Sequence, residues 1–440
     1  MSRGQDFGLS VKARLALVQR LAKQRQVQED QVSADPRGFG AIPNLRDWGL
    51  VREGLNALGI ESPFYRQHEG RGGAHSQIGN REVINFGCYD YLGLNGDPRL
   101  HQAAAEAMAR HGVSASAARL GAGERPVHGA LERRLAAHYG AQAAMAFVSG
   151  HATNVTVIGH LMGPRDVIVH DVAIHNSCTE GAKLSGARRI GFAHNDLAAA
   201  ERELAAARPG AARALLLIEG HYSMDGDVPD LAGFVALARR YDAWLMVDEA
   251  HGLGVVGATG KGVFESSGVD PAEVDIWMGT LSKTLCACGG YIAARADLID
   301  WLRHTVPGFV YSVGLSPPLA AAAAAAMDVM AAEPWRVAKL QANATLLRDL
   351  CRAQGFDTGT SLGLGIVPIV LGSSVRALRV AAALFERGVN ALPIIFPGVP
   401  EKAARLRFFV SAEHSEQDIR DAAAALVAAI DSVALADQSG

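Results

Sequence analysis

The sequence predicts an α/β fold: a large, mainly parallel sheet covered by helices on both faces, followed by a smaller α+β domain at the carboxyl end. Three observations predict it. Helical patterns alternate with short apolar strands from about Asp97 to Met330, polar clusters follow three of those strands directly, and the rhythm changes after Pro334. Strands buried between two helix layers read as continuous apolar runs rather than alternating ones.

The elements follow in order. Val11 to Leu21 spaces Leu and Val as a helix with a basic opposite face. It fits docking on its own or a partner subunit; a membrane or a carrier domain are the other surfaces such a helix serves. Ser33 to Asn44, with Pro36, Gly38, Gly40 and Pro43, reads as a linker. Asp196 to Ala206 and Asp230 to Tyr241 are helical, while Ala144 to Val148, Ala214 to Ile218, Ala243 to Val247 and Asp275 to Met278 are strands. Beyond Pro334 come a helix, the strand Gly365 to Leu371, a helix through Arg379 to Gly388, the strand Arg405 to Val410 and a closing helix. The expected division is a helical segment and linker at 1–60, a large domain at 61–330 and a small one at 331–440.

The chain has 440 residues, 49% hydrophobic and 20% charged, which suits a large globular core. A formal charge of -3 gives no field to attract nucleic acid or an anionic membrane, so a small-molecule substrate is expected. Five cysteines, at 88, 178, 286, 288 and 351, show no paired metal-ligand spacing and form an odd set. With no secretory leader pattern and no run of 18 apolar residues, the expectation is a cytoplasmic enzyme without metal or disulfides.

Active sites in such sheets lie at the carboxyl ends of the strands, so the residues just past them carry the search. Lys283, in Gly279-Thr280-Leu281-Ser282-Lys283, closes one strand before the small-residue run Cys286 to Gly290. Desolvation there would supply a neutral amine able to form an imine, although a solvated surface lysine fits the same local sequence. Asp248 closes another strand, where a buried carboxylate needs a cationic partner, a metal or a helix cap. A pyridinium nitrogen would serve: at about 4 Å and an effective dielectric near 20 the pair gains roughly 4 kcal/mol, about three pKa units. Ser149 to Asn154 follows a strand and opens a helix, a common pattern whose backbone N–H groups can hold a phosphate. His175 can stack on a ring or serve as a structural histidine, and Arg407, on the same sheet face as Arg405, can grip a carboxylate or form a salt bridge.

The ordered set resembles the α-oxoamine synthases, fold-type I pyridoxal-phosphate (PLP) enzymes that include serine palmitoyltransferase and 8-amino-7-oxononanoate synthase. The resemblance runs from about Asn85 to Val427, through Asn85 to Leu94, Arg125 to Glu132, Ser149 to Asn154, Glu219 to Asp227, Val247 to Gly252, Gly279 to Lys283 and Arg405 to Phe409. It implies PLP held as a Schiff base on Lys283, with Asp248 as the pyridinium partner and His251 donating to the phenolic oxygen. His175 would stack on the ring, and Ser223 would lie beside it. Ser149, Gly150, His151, Thr280 and Ser282 would hold the phosphate, with Ser312 contributed by the other subunit of a homodimer. Arg407 would bind the amino-acid carboxylate, and Tyr89 would stand at the substrate.

The implied reaction is a decarboxylative Claisen-type condensation of serine, glycine or alanine with an acyl-CoA or acyl-carrier-protein thioester, giving an α-aminoketone. Lys283 would be the base and His175 a donor to the developing oxyanion. Three positions depart from the family pattern. Val113 to Arg119 replaces a glycine-rich stretch with Ser114, Ala115 and Ala117, Tyr89 stands where some members carry asparagine, and His151 replaces an aromatic residue. Tyr89 is nearer the serine palmitoyltransferase pattern. Gly123 to His128 and Ser149 to Asn154 resemble the subgroup that works beside polyketide synthases. Two other readings remain open: another fold-type I PLP enzyme such as an aminotransferase, which would make keto acid without releasing thiol, or a catalytically silent partner subunit, which would lack the lysine.

Overall fold

The computed structural model describes residues 60–439 together with residues 38, 39, 42, 45, 49, 52 and 53. The basic helix expected at 11–21 and most of the linker at 33–44 lie outside the described residues.

A seven-stranded sheet forms the centre. Numbering all strands along the chain, β1 (His68–Glu69), β2 (His75–Ile78) and β3 (Arg81–Asn85) precede it. Its members are β4 (Ala143–Phe147), β5 (Val167–Asp171), β6 (Arg188–Phe192), β7 (Ala214–Glu219), β8 (Trp244–Asp248), β9 (Ile276–Thr280) and β10 (Gly290–Ala294). Their order in space is β4-β10-β9-β8-β7-β5-β6. The run β9-β8-β7-β5-β6 is parallel, and β10 lies antiparallel between β9 and β4.

Side chains alternate between two cores along these strands, as the pleat requires. Leu216, Ile218, Leu245 and Val247 enter one core, whereas Leu215, Leu217, Met246 and Met278 enter the other. All six residues of β7 are buried, which is why its sequence Ala-Leu-Leu-Leu-Ile-Glu shows no polar face. Three strands carry no clear signal in the sequence, for local reasons. β5 ends in His-Asp, β6 is an exposed edge rich in arginine, and β10 is built of Gly, Tyr, Ile and Ala.

The carboxyl-terminal part holds a three-stranded antiparallel sheet, β11 (Ile366–Val370), β14 (Arg405–Phe409) and β13 (Leu392–Ile394), backed by the helices Ser374–Phe385 and Glu416–Ser439. The first of these helices starts five residues before the expected Arg379, and its buried Ala377, Leu378, Val380 and Ala381 pack as one face. The strand β12 (Val389–Asn390) pairs in parallel with β3 and completes a sheet with β1 and β2. Phe86 N–H then donates to Asn390 O at 2.8 Å, and Phe409 N–H donates to Phe86 O at 2.9 Å. Residues 68–86 are thereby stitched to the carboxyl-terminal strands. Among the described residues no helix is long and apolar enough to cross a membrane.

Candidate active site

The parallel strands bring Glu219, Asp248 and Thr280 to one edge of the sheet, at their carboxyl ends. A cavity of about 230 Å³ opens there. Its walls include nine of the residues singled out from the sequence: Ser149, Gly150, His151, His175, Asp248, His251, Thr280, Ser282 and Lys283.

Asp248 is held by two donors. Ala250 N–H donates to Oδ1 at 2.9 Å, Asn154 Nδ2 donates to Oδ2 at 2.9 Å, and the Cys178 thiol lies 4.0 Å from Oδ2. Asn154 comes from the helix Gly150–Leu161 and also donates to Ser177 Oγ at 3.0 Å. That hydroxyl is 2.7 Å from His175 Nδ1, so a chain of hydrogen bonds joins the histidine to the aspartate. Burial lowers the pKa of His175, with the charge of Asp248 opposing.

Lys283 lies among these groups, its Nζ 5.7 Å from the Tyr89 ring centroid. Burial lowers the amine pKa to about 8, with the charges of Asp248 and Glu219 pulling the other way. An appreciable neutral fraction near pH 7 follows, as a nucleophilic amine requires. Glu219 is a buried neighbour of Asp248, in register with it across the β7–β8 pair. Burial, then the Asp248 charge, lifts its pKa well above the usual carboxylate range. Its Oε2 accepts from Ser223 N–H at 3.1 Å, and its Oε1 has no hydrogen-bond partner among the described residues.

Ser149 caps the helix Gly150–Leu161, its Oγ accepting from Ala152 N–H at 3.3 Å. The hydroxyls of Thr280 and Ser282 stand 2.6 Å apart. A methyl group added at Gly150 would come within 2.8 Å of Thr280 Oγ1, so glycine keeps this cradle open. A desolvated amine, a carboxylate on two donors and a helix N-terminus flanked by hydroxyls form a donor set that fits an aldehyde cofactor with a basic ring nitrogen and a phosphate.

The chain has counterparts of known kind. A family model for aminotransferase class I and II matches residues 81–426. An 8-amino-7-oxononanoate synthase of Anaeromyxobacter sp. (strain K) is 42% identical over 390 residues, covering 87% of this chain and 96% of the relative. That of Geobacter sulfurreducens is 39% identical over 389 residues, covering 88% and 96%. The solved serine palmitoyltransferase of Sphingomonas wittichii has a TM-score of 0.85 at 28% identity, covering 90% of this chain and 99% of that one. The chain belongs to the α-oxoamine synthases.

With the family come its cofactor, PLP, and its reaction class, the decarboxylative condensation of an amino acid with an acyl thioester. In this α-oxoamine synthase four of the singled-out residues stand outside the cavity wall. Arg407 Nη1 donates to Ser223 O at 2.9 Å, its guanidinium lies 4.5 Å from the Phe409 ring centroid, and its buried Nε has no partner among the described residues. Arg405 shares the same face and holds Met224 O at 2.9 Å and Asp225 at 2.7 Å. Tyr89 packs edge-on against Phe409 at 4.7 Å. Ser223 supports Arg407 through its carbonyl, and Ser312 lines a separate small cleft with Arg119 and Val148.

The stretch that departs from the family's glycines adopts a strained turn. Ser116 holds a left-handed backbone at φ 57°, Ser114 Oγ accepts from Ser116 N–H at 3.0 Å, and Ala117 O accepts from Gly314 N–H at 2.9 Å. The substituted segment is thus tied to the loop that carries Ser312. Sequence reasoning assigns no role to Asn154, Ser177, Tyr91 or Glu219. Of these only Glu219 carries a signal of its own, since it ends its strand just as Asp248 does.

Proposed function

We propose that this α-oxoamine synthase joins a small α-amino acid, serine, glycine or alanine, to an acyl group delivered as a thioester of CoA or a carrier protein. Carbon dioxide and the free thiol leave, and an α-aminoketone is the product. One observation carries the reading: the Lys283 amine and the Asp248 carboxylate face one cavity beside a hydroxyl-rich helix N-terminus.

PLP, when bound, supplies an electron sink for the charge that develops at the amino acid's α-carbon. Lys283 would anchor the cofactor, and its amine is the base for the amino acid's α-proton; its lowered pKa suits that task near neutral pH. Asp248 keeps the ring nitrogen protonated, and its two donors hold the carboxylate in place. With PLP bound, His175 would lie against the ring and present a donor where oxyanion charge develops, and His251 would donate to the phenolic oxygen. Ser149, Gly150, His151, Thr280 and Ser282 bind the phosphate. Ser223 lies beside the ring, Arg407 grips the substrate carboxylate with Tyr89 nearby, and Ser312 serves the partner's site in a homodimer. The division at 61–330 and 331–440 and a cytoplasmic location belong to the same reading, with residues 68–86 moved to the small domain because β3 pairs with β12.

The test is turnover. Purified protein given PLP, each of the three amino acids and CoA- or carrier-bound acyl chains is expected to release thiol and carbon dioxide in equal amounts. Lys283→Ala should abolish both, and without added amino acid it should lack the visible band that the lysine–cofactor bond gives. Keto-acid formation without thiol release would overturn the proposal in favour of an aminotransferase.

A further inference from the structure

We infer that Tyr91 fixes the tautomer of His251, donating its phenol proton to Nδ1 so that the imidazole N–H sits on Nε2. The inference rests on the proposal that His251 faces the cofactor, and it gives Tyr91 a positioning role.

Tyr91 is fully buried, and its hydroxyl lies 2.7 Å from His251 Nδ1. Two arrangements satisfy that distance. In one, Tyr91 donates and Nε2 carries the ring proton. In the other, Nδ1–H donates to the phenol, and the phenol proton then needs an acceptor of its own. His251 is the phenol's one hydrogen-bond partner among the described residues, so this second arrangement leaves a buried donor unmet. The first leaves nothing unmet, because His251 borders the cavity and Nε2–H can serve a ligand there.

The imidazole stays neutral, which makes the tautomer matter. Burial, reinforced by the charges of Lys283 and Arg407, holds its pKa well below the usual histidine value. A neutral ring has one N–H, and the partner of the other nitrogen decides which atom carries it. The ring plane is fixed as well: Phe409 stacks on His251 at 6.0 Å with 9° between planes, and Tyr89 meets it edge-on at 6.1 Å. Tyr91 also belongs to the segment that joins Phe86 to the helix at Pro98, its carbonyl accepting from Ala412 N–H at 2.7 Å. The backbone of Tyr91 is therefore held in place, and the phenol has little freedom to turn away.

The experiment is Tyr91→Phe in the full chain. Tyr139→Phe, which removes a buried hydroxyl paired at 2.7 Å with Tyr291 away from the cavity, is the control. Nitrogen-15 chemical shifts of the histidines in cofactor-free protein, assigned with His251→Gln, report the tautomer directly. Wild type and Tyr139→Phe should show Nε2–H at His251, and Tyr91→Phe a mixture with Nδ1–H. In holoenzyme Tyr91→Phe should shift the pH titration of the PLP absorbance band and lower kcat about fivefold, the loss of one hydrogen bond, with the amino-acid KM unchanged. An Nδ1–H tautomer in wild type, or a Tyr91→Phe protein unchanged in tautomer and band, would overturn the inference. A wild-type protein that gives no lysine-dependent PLP band would instead overturn the functional proposal, and the tautomer in cofactor-free protein would still decide this one.

Discussion

Asn154 ties a helix to the floor of the cavity: its Nδ2 donates to Asp248 Oδ2 across 2.9 Å. The same nitrogen donates to Ser177 Oγ, so the serine proton is free to donate to His175 Nδ1. Asn154 Oδ1 is buried without a partner among the described residues, and the reverse amide orientation would set oxygen against carboxylate. The residue therefore aligns the two groups proposed to hold opposite aspects of the cofactor ring.

Asn154→Leu keeps the volume and removes the donor. Asp248 Oδ2 then keeps only the Cys178 thiol at 4.0 Å, at a cost of roughly 1–3 kcal/mol. PLP affinity, read by cofactor titration, should fall about 5- to 150-fold, and the melting temperature of cofactor-free protein should fall as well, since the lost bonds belong to the cofactor-free fold. Unaltered affinity would remove Asn154 from the site.

Glu219 makes a prediction about pH. Its folded pKa is raised by burial and by Asp248 to about 8, so the stability it contributes is full only below about pH 4.5 and is lost progressively as pH rises to about 8. Glu219→Gln mimics the protonated acid and lacks the titration. Urea midpoints of the variant and wild type should lie closest near pH 4.5, and the variant should gain on wild type as pH rises to about 8 and keep that lead near pH 9. Parallel pH curves would show that Glu219 does not titrate in this way.

Arg407 tests substrate binding separately from cofactor binding. Its Nε is buried and unpartnered among the described residues, and Nη1 is already engaged by Ser223 O. Arg407→Lys keeps a charge but loses the planar fork, so the amino-acid KM should rise at least tenfold with the PLP band intact. An unchanged KM would mean that another group holds the carboxylate.

His194 bridges two carboxylates, Asp171 at 3.0 Å and Asp227 at 3.0 Å. Burial alone would lower its pKa, yet the two acids override burial and raise it to about 10. A raised histidine contributes its full stability below about pH 6.5 and loses it as pH rises through about 10, a contribution on the order of a few kcal/mol. His194→Gln should lower the urea midpoint at pH 7 and nearly match wild type at pH 10.5. A variant equally destabilised at both pH values would point to packing instead.

Much of the site is legible in the sequence. Lys283, Asp248 and the turn at Ser149 stand out because chemistry at a strand end is local: an apolar run stops and a polar residue stands where the helix layer opens. Other contributors lie inside the matching segments Ser149 to Asn154 and Asn85 to Leu94, but with no role that the pattern assigns. Asn154 reaches Asp248 across 94 residues and Tyr91 reaches His251 across 160, and neither spacing carries a period or a motif.

By itself the sequence determined the α/β alternation, the amine and carboxylate just past two of the strands, and membership of a PLP family, since each depends on short-range pattern and on order along the chain. Tertiary structure alone decided which donors hold Asp248, that Glu219 shares its burial, that the strands at residues 68–85 join the carboxyl-terminal strands, and which nitrogen of His251 faces the Tyr91 phenol. These follow from hydrogen bonds and desolvation between segments distant in sequence, and they exist only once the chain has closed around the cavity.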